Sequence, residues 1–325
     1  GTAVVGDMLK PFQTILAATA SASPGDTIMV YPGFYTASCQ ILKEGVKYYF
    51  FPGSHISASD SVPLMEGVFN NIDVRGYGIF EGGGTFGIQD AFINLTVSGS
   101  GYLEFDKIKT TSLKQNYNAT VQVGTSENVL NKYFELKGRI ESTGSSVGSY
   151  HASLNIKAGN VKFDGSIHMD QSNAGQIGIR LANDANDALI KADVYTSKGI
   201  CVDSTARNAH SKFEGRYETG DKSTYYVMRF NDGYQGQHII DAEIVGALHF
   251  HPGSNQYGGI HFSGYQLCTD SPSGNGAIYI QSGLNYIDAS IYSTEAVIFG
   301  VNGGNTHFGG VVEQYNNGGG KIFNV

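Results

Sequence analysis

The sequence of 325 residues contains no tryptophan, only 7 prolines against 44 glycines, and 3 cysteines. Few prolines beside many glycines indicate a chain that turns often but seldom interrupts its strands. Cys39, Cys201 and Cys268 are odd in number and widely spaced, which fits neither a disulfide framework nor a pair of metal-binding cysteines. We therefore expect buried thiols that remain free.

Basic clusters and long apolar runs are also missing. The formal net charge is −8 and no Lys/Arg-rich run offers to neutralise phosphates, so we expect neither nucleic acid nor a membrane surface as a partner. No apolar run reaches 18 residues, so the sequence predicts no membrane-spanning segment. Hydrophobic residues make up 41% of the chain, which is typical of a folded protein and not of a disordered one.

A five-residue pattern recurs along the chain: an apolar residue, any residue, a small residue, any residue and usually a second apolar residue. Phe163–Ile167 and Ile287–Ile291 are examples. The small residues of the pattern are Gly33, Gly53, Gly76, Gly99, Gly138, Gly165, Ala192, Gly215, Ala242, Gly264, Ala289 and Gly310. Ten of the eleven spacings between them lie between 20 and 27 residues, a repeat length that is typical of solenoid folds.

The pattern has the period of a β-strand. Alternate residues of a strand point to opposite faces, so the apolar and small positions share an inner face. One such strand in each repeat stacks into a parallel sheet, and parallel connections are almost always right-handed. The twelve repeats therefore predict an all-β fold, a single-stranded right-handed parallel β-helix of about 12 coils.

The spacing of the repeats also divides the chain. The long gap between Gly99 and Gly138 predicts a loop inserted into one coil, at about residues 105–132. We expect a lead-in and a short N-terminal capping helix within residues 1–26, and the parallel β-helix over residues 27–325. The residues on one face of the predicted helix are Phe12, Ile15, Leu16 and Thr19.

Two segments near the start of the chain, residues 11–20 (PFQTILAATA) and 23–36 (SPGDTIMVYPGFYT), resemble the entry of pectin-lyase-like parallel β-helix proteins. In that superfamily an amphipathic helix covers the open end of the core, and a segment like the second one forms the first coil. Residues 6–12 also look like the start of β-helix regions in bacteriophage tail spikes and other virion proteins. The resemblance implies the fold and a virion or extracellular location, and it says almost nothing about a reaction.

The two outward positions of each repeat form two rows of side chains. The earlier row contains Lys137, Asp164, Lys191, Glu214, Asp241, Ser263 and Asp288, and the later row contains Arg139, Ser166, Asp193, Arg216, Glu243, Tyr265 and Ser290. Neighbouring coils thus place opposite charges side by side, as with Lys191 beside Glu214 and Arg216 beside Glu243. Such pairs contribute roughly 0.2–1 kcal/mol each. The rows predict a solvated wall of paired charges.

The acidic end of this wall supplies candidate catalytic residues. Asp241 and Glu243 share an outward face about 7 Å apart along a strand, and Asp288 lies two coils further on. Two carboxylates at that separation can act as the acid and base of a glycosidase. Lyases of the resembling superfamily hold Ca²⁺ with acidic clusters, so we expect Ca²⁺ only if the chain is a lyase, and otherwise no cofactor. The motifs of polygalacturonases, pectin esterases and pectate lyases are missing, which argues against catalysis.

Histidines and tyrosines supply two further candidate sites. His249 and His251 share one face of a predicted strand and His261 lies on the next coil, so that in a trimer they can offer nitrogen ligands to a metal ion. The tyrosines that can stack against sugars are Tyr77, Tyr234, Tyr257 and Tyr265. A role in the ordinary wall of the fold is the simpler interpretation of both groups.

These observations favour a non-catalytic, surface-exposed structural or adhesive protein, of the tail-spike type in a phage or virion, that binds surface glycans or other virion proteins. Two alternatives are a polysaccharide lyase or glycoside hydrolase, and a subunit that assembles into extracellular fibres. The last ten residues contain no amphipathic helix to cover the end of a β-helix. Because exposed strand ends invite pairing, we expect self-association as a homotrimer or fibre, or contact with other virion proteins.

Overall fold

A computed structural model of the chain describes residues 11–37, 41–58, 63–84, 91–113, 119–124, 133–144, 151–171, 175–205, 210–231, 237–251, 258–272, 276–295, 297–315 and 321–324. Strands fill most of these ranges, and a short helix, α1 (Ile15–Ser21), precedes them. The fold is therefore all-β, as the sequence predicts. No helix within these ranges has the length and apolar character needed to cross a membrane.

Twenty-five strands follow α1 in the described part of the chain. The first twelve are β1 (Thr27–Val30), β2 (Gly33–Ala37), β3 (Lys47–Phe50), β4 (Ser54–Ala58), β5 (Met65–Phe69), β6 (Ile72–Gly76), β7 (Ile79–Gly84), β8 (Ala91–Val97), β9 (Ser100–Leu113), β10 (Ala119–Val123), β11 (Tyr133–Gly144) and β12 (Ala152–Gln171). The others are β13 (Gln176–Thr196), β14 (Gly199–Ser204), β15 (His210–Thr219), β16 (Met228–Phe230), β17 (Gln237–Val245), β18 (Leu248–Phe250), β19 (Gly259–Phe262), β20 (Tyr265–Cys268), β21 (Ile278–Ile280), β22 (Leu284–Ser293), β23 (Val297–Val301), β24 (Asn305–Gln314) and β25 (Lys321–Asn324).

The strand pairings are parallel and form three ladders. Ladder I contains β1, β3, β6, β9, β11, β12, β13, β15, β17, β19, β22 and β24. Ladder II contains β2, β4, β7, β9, β11, β12, β13, β15, β17, β20, β22 and β24. Ladder III contains β5, β8, β10, β12, β13, β14, β16, β18, β21, β23 and β25. From β3 onward the chain passes through ladders I, II and III in turn. Each time it returns to a ladder, it pairs in parallel with the previous strand of that ladder. This order is compatible with a parallel β-helix.

The hydrophobic core runs along the inside of the ladders. One inward row of ladder III contains, in register, Met65, Ile93, Val121, Leu154, Ile179, Val202, Met228, Leu248, Ile278 and Phe299. Each of these side chains is at most 1% exposed. Full burial of such a side chain contributes roughly 1.5–3 kcal/mol, so stacked inward rows are the main source of stability.

The small residues of the repeat lie in register from Gly138 to Gly310, where the chain passes from ladder I to ladder II. A Cβ atom on Gly165 would lie 1.9 Å from the carbonyl oxygen of Gly138, and one on Gly310 would lie 2.3 Å from the carbonyl oxygen of Ala289. No side chain fits at these distances, so the close approach of consecutive strands requires glycine there. This part of the predicted repeat is confirmed.

The predicted register is wrong in the N-terminal part. Gly76 pairs with Phe50. Gly99 lies outside the row altogether, because its N–H donates to the carbonyl oxygen of Asn70 in the connection between β8 and β9. The position beside Gly138 belongs to the segment around residues 105–106, where one extra residue forms an irregularity in the pairing of β9 with β11. A fixed five-residue frame cannot register such an insertion.

The inserted loop predicted at about residues 105–132 is also wrong in part. Residues 105–113 belong to β9 and residues 119–123 form β10, while most of the remainder lies outside the described residues. Thr110 in β9 and Thr120 in β10 are buried, and their hydroxyl groups hydrogen-bond to each other at 2.9 Å. Hydroxyl groups that satisfy one another are tolerated in a protein interior.

Helix α1 is shorter than the predicted capping segment. Thr14 caps its N-terminus, with the side-chain oxygen accepting a hydrogen bond from the backbone N–H of Ala17 at 3.1 Å. Ile15 and Thr19 face inward and are buried. Leu16, which the sequence places on the same face, is 45% exposed. The helix therefore turns only a narrow stripe towards the strands.

Two of the three cysteines are free and buried, as expected. Burial raises the pKa of Cys201 and of Cys268 to about 12 in each case. Thiols with a raised pKa are poor nucleophiles and weak metal ligands at neutral pH. Cys39 lies outside the described residues.

Candidate functional site

The outer face of the central strands is a wall of paired charges, as predicted. The ammonium group of Lys191 lies 2.8 Å from a carboxylate oxygen of Glu214, and this contact lowers the pKa of Glu214. Arg216 contacts Glu243 on the next strand of ladder II. Its backbone N–H donates to Asp193 Oδ1 on the previous strand at 3.0 Å. An ion pair therefore links β13 to β15 in the earlier row, and another links β15 to β17 in the later row.

A similar network surrounds Glu135 on ladder I. Lys137 and Lys162 each place an ammonium nitrogen 3.1 Å from Glu135 Oε1, and the hydroxyl of Tyr133 donates to Oε2 at 2.9 Å. Burial alone raises the pKa of Glu135, but these three hydrogen bonds outweigh it and lower the pKa to about 2. The hydrogen bond to Glu135 raises the pKa of Lys137. Glu135 is thus held ionised by its neighbours.

A third outward row lies two residues beyond the predicted pair of rows, on ladder II. It contains, in register, Glu141, His168, Tyr195 and Glu218. The five-residue pattern ended one position too early to include it. The residue that follows the second apolar position of the pattern also points outward. A pattern extended beyond that position would have included this row.

The later predicted row and the third row enclose an open groove of about 420 Å³ on the outer face of ladder II. Its lining residues are Arg139, Glu141, Ser166, Ile167, His168, Asp193, Val194, Tyr195, Arg216 and Glu218. The groove exists because the short side chains of Ser166 and Asp193 lie between the long side chains of Arg139 and Arg216. The strand register therefore determines where the groove begins and ends.

Ion pairs form both ends of the groove. At one end Arg139 Nε lies 3.3 Å from Glu141 Oε1, and Lys107 lies 3.2 Å from the other oxygen of the same carboxylate. At the other end Arg216 Nη2 lies 3.1 Å from Glu218 Oε2, a contact that raises the pKa of Arg216. The charged groups at both ends are therefore already satisfied within the protein.

The floor of the groove between these two ends is formed by two aromatic rings and two short polar side chains. The rings of His168 and Tyr195 are stacked, with centroids 5.1 Å apart and planes 20° from parallel. Beside them, the Ser166 hydroxyl and Asp193 Oδ2 have no hydrogen-bond partner among the residues that the structure describes, and neither do the polar atoms of the two rings. The floor thus offers four polar side chains to a ligand, two of which carry the stacked rings.

The structure places the three predicted catalytic carboxylates on ladders I and II, on the outward faces of β17 and β22. Asp241 and Glu243 both point outward from β17, and Glu243 is bound by Arg216. Asp288 lies on β22, two strand steps along ladder I from Asp241, or about 10 Å. Asp241 is in register with Glu214, another carboxylate.

Two of the four predicted sugar-stacking tyrosines can be located. Tyr77 follows β6 and is 57% exposed. Tyr265 begins β20, and its ring centroid lies 5.4 Å from that of Tyr292. Tyr77 and Tyr265 are many strand steps apart, so they do not share a surface. Tyr234 and Tyr257 lie outside the described residues.

The predicted histidine cluster is divided between two ladders. His249 belongs to ladder III and His261 to ladder I. The ring of His249 stacks on Tyr279 at 5.2 Å and lies 6.3 Å from the ring of His251. Its Nε2 donates to Gln281 Oε1 at 3.1 Å. Burial lowers the pKa of His249. The ring contacts show that His249 is built into a stack of side chains.

Within the described ranges, no three Cys, His, Asp or Glu side chains come together in a way that could hold a metal ion. The carboxylates at the ends of the groove contact lysine and arginine side chains instead.

No protein-family model matches the chain, and no similar curated protein or solved structure was found. The likeness of residues 11–36 to pectin-lyase-like β-helix proteins therefore stays a prediction.

Proposed function

We propose that the chain is a three-sided, right-handed parallel β-helix of about twelve coils, with α1 covering its N-terminal end. The order in which the chain passes through the three ladders supports this architecture. The inward Ile15 and Thr19 of α1 support its role as a cap, since both are buried beside the first strands. The architecture provides a rigid wall on which outward side chains repeat at one strand spacing of about 4.8 Å.

On this wall the protein binds a glycan without cleaving it, as a surface-exposed structural or adhesive protein. One observation carries the proposal: the groove on ladder II has stacked rings and polar atoms without a partner among the described residues on its floor, between two ends that are satisfied by ion pairs. Binding sites combine apolar or aromatic surface with a few well-placed polar groups in this way.

The carboxylates on the outer faces of ladders I and II argue against catalysis. A general acid of a glycosidase needs a raised pKa so that it holds its proton near neutral pH. The lysine contacts lower the pKa values of Glu135 and Glu214, which is the opposite direction. Glu218 and Glu243, the carboxylates nearest the groove on β15 and β17, are bound by Arg216.

A location on a virion or outside the cell, and assembly into a homotrimer or fibre, belong to the same proposal. They rest on the resemblance of the first 36 residues to tail-spike and pectin-lyase-like β-helices. Sedimentation of the purified chain tests the assembly: a trimer or a larger species supports it, and a strict monomer at micromolar concentration contradicts it.

Titration with a panel of oligosaccharides, followed by calorimetry, tests the binding site. We expect Tyr195→Ala to weaken binding at least tenfold, or about 1.4 kcal/mol, because the floor loses one of its rings. Tyr286→Ala is the matched control, since Tyr286 is stacked on a histidine (His307, 5.0 Å) as Tyr195 is on His168, but lies on ladder I. Equal affinities of the two variants would contradict the site.

Assays for new reducing ends and for unsaturated products test the absence of catalysis. We expect neither product from any oligosaccharide that binds. Cleavage that Glu243→Gln or Glu218→Gln abolishes would instead establish the glycoside hydrolase or lyase that the sequence leaves as an alternative. A requirement for Ca²⁺ in that cleavage would identify the lyase.

A further inference from the structure

We propose that the groove on ladder II selects a neutral, hydroxyl-rich glycan, recognises two of its sugar rings, and discriminates against uronates. The inference rests on the proposed glycan-binding function and adds the chemical class and the length of the ligand. Three features of the groove support it: its charge, the position of Asp193 and the repetition of its floor.

The charge of the groove disfavours an anion. Its lining contains two arginines, Arg139 and Arg216, and three carboxylates, on Glu141, Asp193 and Glu218. With His168 neutral the formal sum is −1. Both guanidinium groups contact carboxylates at the ends of the groove, so a uronate would have to break an existing ion pair to gain a cation.

The lysines around the groove do not change this balance. Lys107 and Lys222 contact the same two carboxylates, Glu141 and Glu218, from outside the ends, at 3.2 and 3.8 Å. Lys191 contacts Glu214 on ladder I. A uronate on the floor would therefore face the carboxylate of Asp193 and no uncommitted cation in the described part of this wall.

Asp193 is placed to accept hydrogen bonds from hydroxyl groups. Its Oδ1 accepts from the backbone N–H of Arg216 at 3.0 Å, which fixes the carboxylate and leaves Oδ2 directed away from that bond. Hydrogen bonds to a charged acceptor are stronger than those between neutral groups. A sugar hydroxyl gains this bond, whereas a sugar carboxylate is repelled from the same position.

The floor repeats the same pair of functions on two consecutive strands. The strand with Ser166 and His168 is followed, in register, by the strand with Asp193 and Tyr195. Each strand thus contributes one short hydrogen-bonding side chain and one ring, at a spacing of about 4.8 Å. The flanking strands contribute Arg–Glu pairs instead. Two strands of this composition provide for two sugar rings and no more.

Matched pairs of sugars test the charge selectivity. The probes are glucose, galactose and mannose oligosaccharides of one to four rings, and the same series oxidised at C6 to uronates, titrated by calorimetry. We expect at least one neutral series to bind at least tenfold more tightly than its oxidised counterpart. We expect its affinity to rise from one ring to two and to change less than threefold beyond two.

Asp193→Asn is the decisive variant, because the amide keeps an oxygen for the Arg216 N–H and removes the negative charge. We expect it to reduce the preference for the neutral sugar at least threefold. Asp288→Asn, an outward aspartate away from the groove, is the control and should leave the preference unchanged. Circular dichroism and the denaturation midpoint verify that both variants remain folded.

Three results overturn the inference in distinguishable ways. Tighter binding of uronates, lost in Arg139→Gln, refutes the selectivity but keeps glycan binding in the groove. Affinity that rises steadily up to four rings refutes the length. Absence of binding by every probe refutes the inference together with the proposed function.

Discussion

The central strands and the C-terminal strands use the same ladders but cover them with different chemistry. Among the described residues, all ion pairs join residues between His55 and Glu243. Beyond Arg229 the sequence contains neither Lys nor Arg until Lys321. We refer to residues 133–219 as the central section and to residues 259–315 as the C-terminal section.

One outward row of ladder I shows the change directly. In the central section it carries Glu135 and Lys162, which form an ion pair. In the C-terminal section the same row carries His261, Tyr286 and His307, and the last two rings are stacked at 5.0 Å. The spacing between strands suits either kind of neighbour. The backbone therefore fixes the distance between outward side chains, and the sequence is free to choose their chemistry.

The largest effect should come from the feature that both sections share, the close approach of strands between ladders I and II. We expect Gly165→Ala to lower the free energy of unfolding by about 3 kcal/mol or more, because its Cβ would collide with the carbonyl oxygen of Gly138. Ala192→Gly, in the same row, should cost about 1 kcal/mol or less. Denaturant unfolding measures both, and equal effects would show that the close approach is not the constraint.

A smaller effect should separate the two sections at acid pH. The pKa of Glu135 is lowered from 4.5 to about 2 in the folded chain, so its contribution to stability is complete above pH 4.5 and disappears as the pH falls towards 2. We expect hydrogen exchange in the central section to accelerate over this range. Glu135→Gln should remove that pH dependence, and an unchanged acid profile in this variant would exclude the carboxylate as its origin.

β18, which lies between the two sections, should respond at a higher pH. Burial lowers the pKa of His249 from 6.5, so below pH 6.5 the unfolded chain binds a proton that the folded chain does not. Arg229 and His251, which lie near it, oppose its protonation further, while Asp203 favours it. We expect stability to fall as the pH drops below 6.5, and the fall to be smaller in His249→Gln. His261→Gln, on the exposed face of ladder I, is the control.

The smallest effect should be the dependence on salt. Exposed ion pairs contribute about 0.2–1 kcal/mol and are screened at high ionic strength. We expect Arg216→Gln to cost no more than about 1 kcal/mol at low salt, and the difference from the unsubstituted chain to shrink in 1 M NaCl. Tyr286→Phe, in the C-terminal section, should show no such salt dependence. Equal salt dependence of the two variants would remove the distinction between the sections.

Much of the fold follows from the sequence, because the alternation of inward and outward residues is local. The row of small residues from Gly138 to Gly310 and the pairing of Lys191 with Glu214 are both read from spacing alone. The choice of Gly99 and of a long inserted loop is wrong because Phe105 and Asp106, and not a small residue, lie beside Gly138, and only the paired strand shows this. Buried hydroxyl pairs such as that of Thr110 look like loop residues until their partners are known.

The site was less accessible to sequence analysis than the fold. Asp241 and Glu243 drew attention as two acids on one strand, but the partner of Glu243 lies 27 residues away. His168 and Tyr195 are inconspicuous in the sequence, since each lies beyond the five-residue pattern and has no partner on its own strand. Their importance depends on the short side chains of Ser166 and Asp193 between two long ones, which is a property of the stacked wall.

The register of Ser166 with Asp193 also bears on how such a binding surface can change over generations. Each strand step of the wall is encoded by one repeat, and the repeat from Gly165 to Ala192 spans 27 residues. Gain of one such repeat would lengthen the floor by one strand spacing and leave the contacts on either side intact, and loss of one would shorten it. The size of the recognised ligand can therefore evolve in whole steps, by duplication and deletion of repeats.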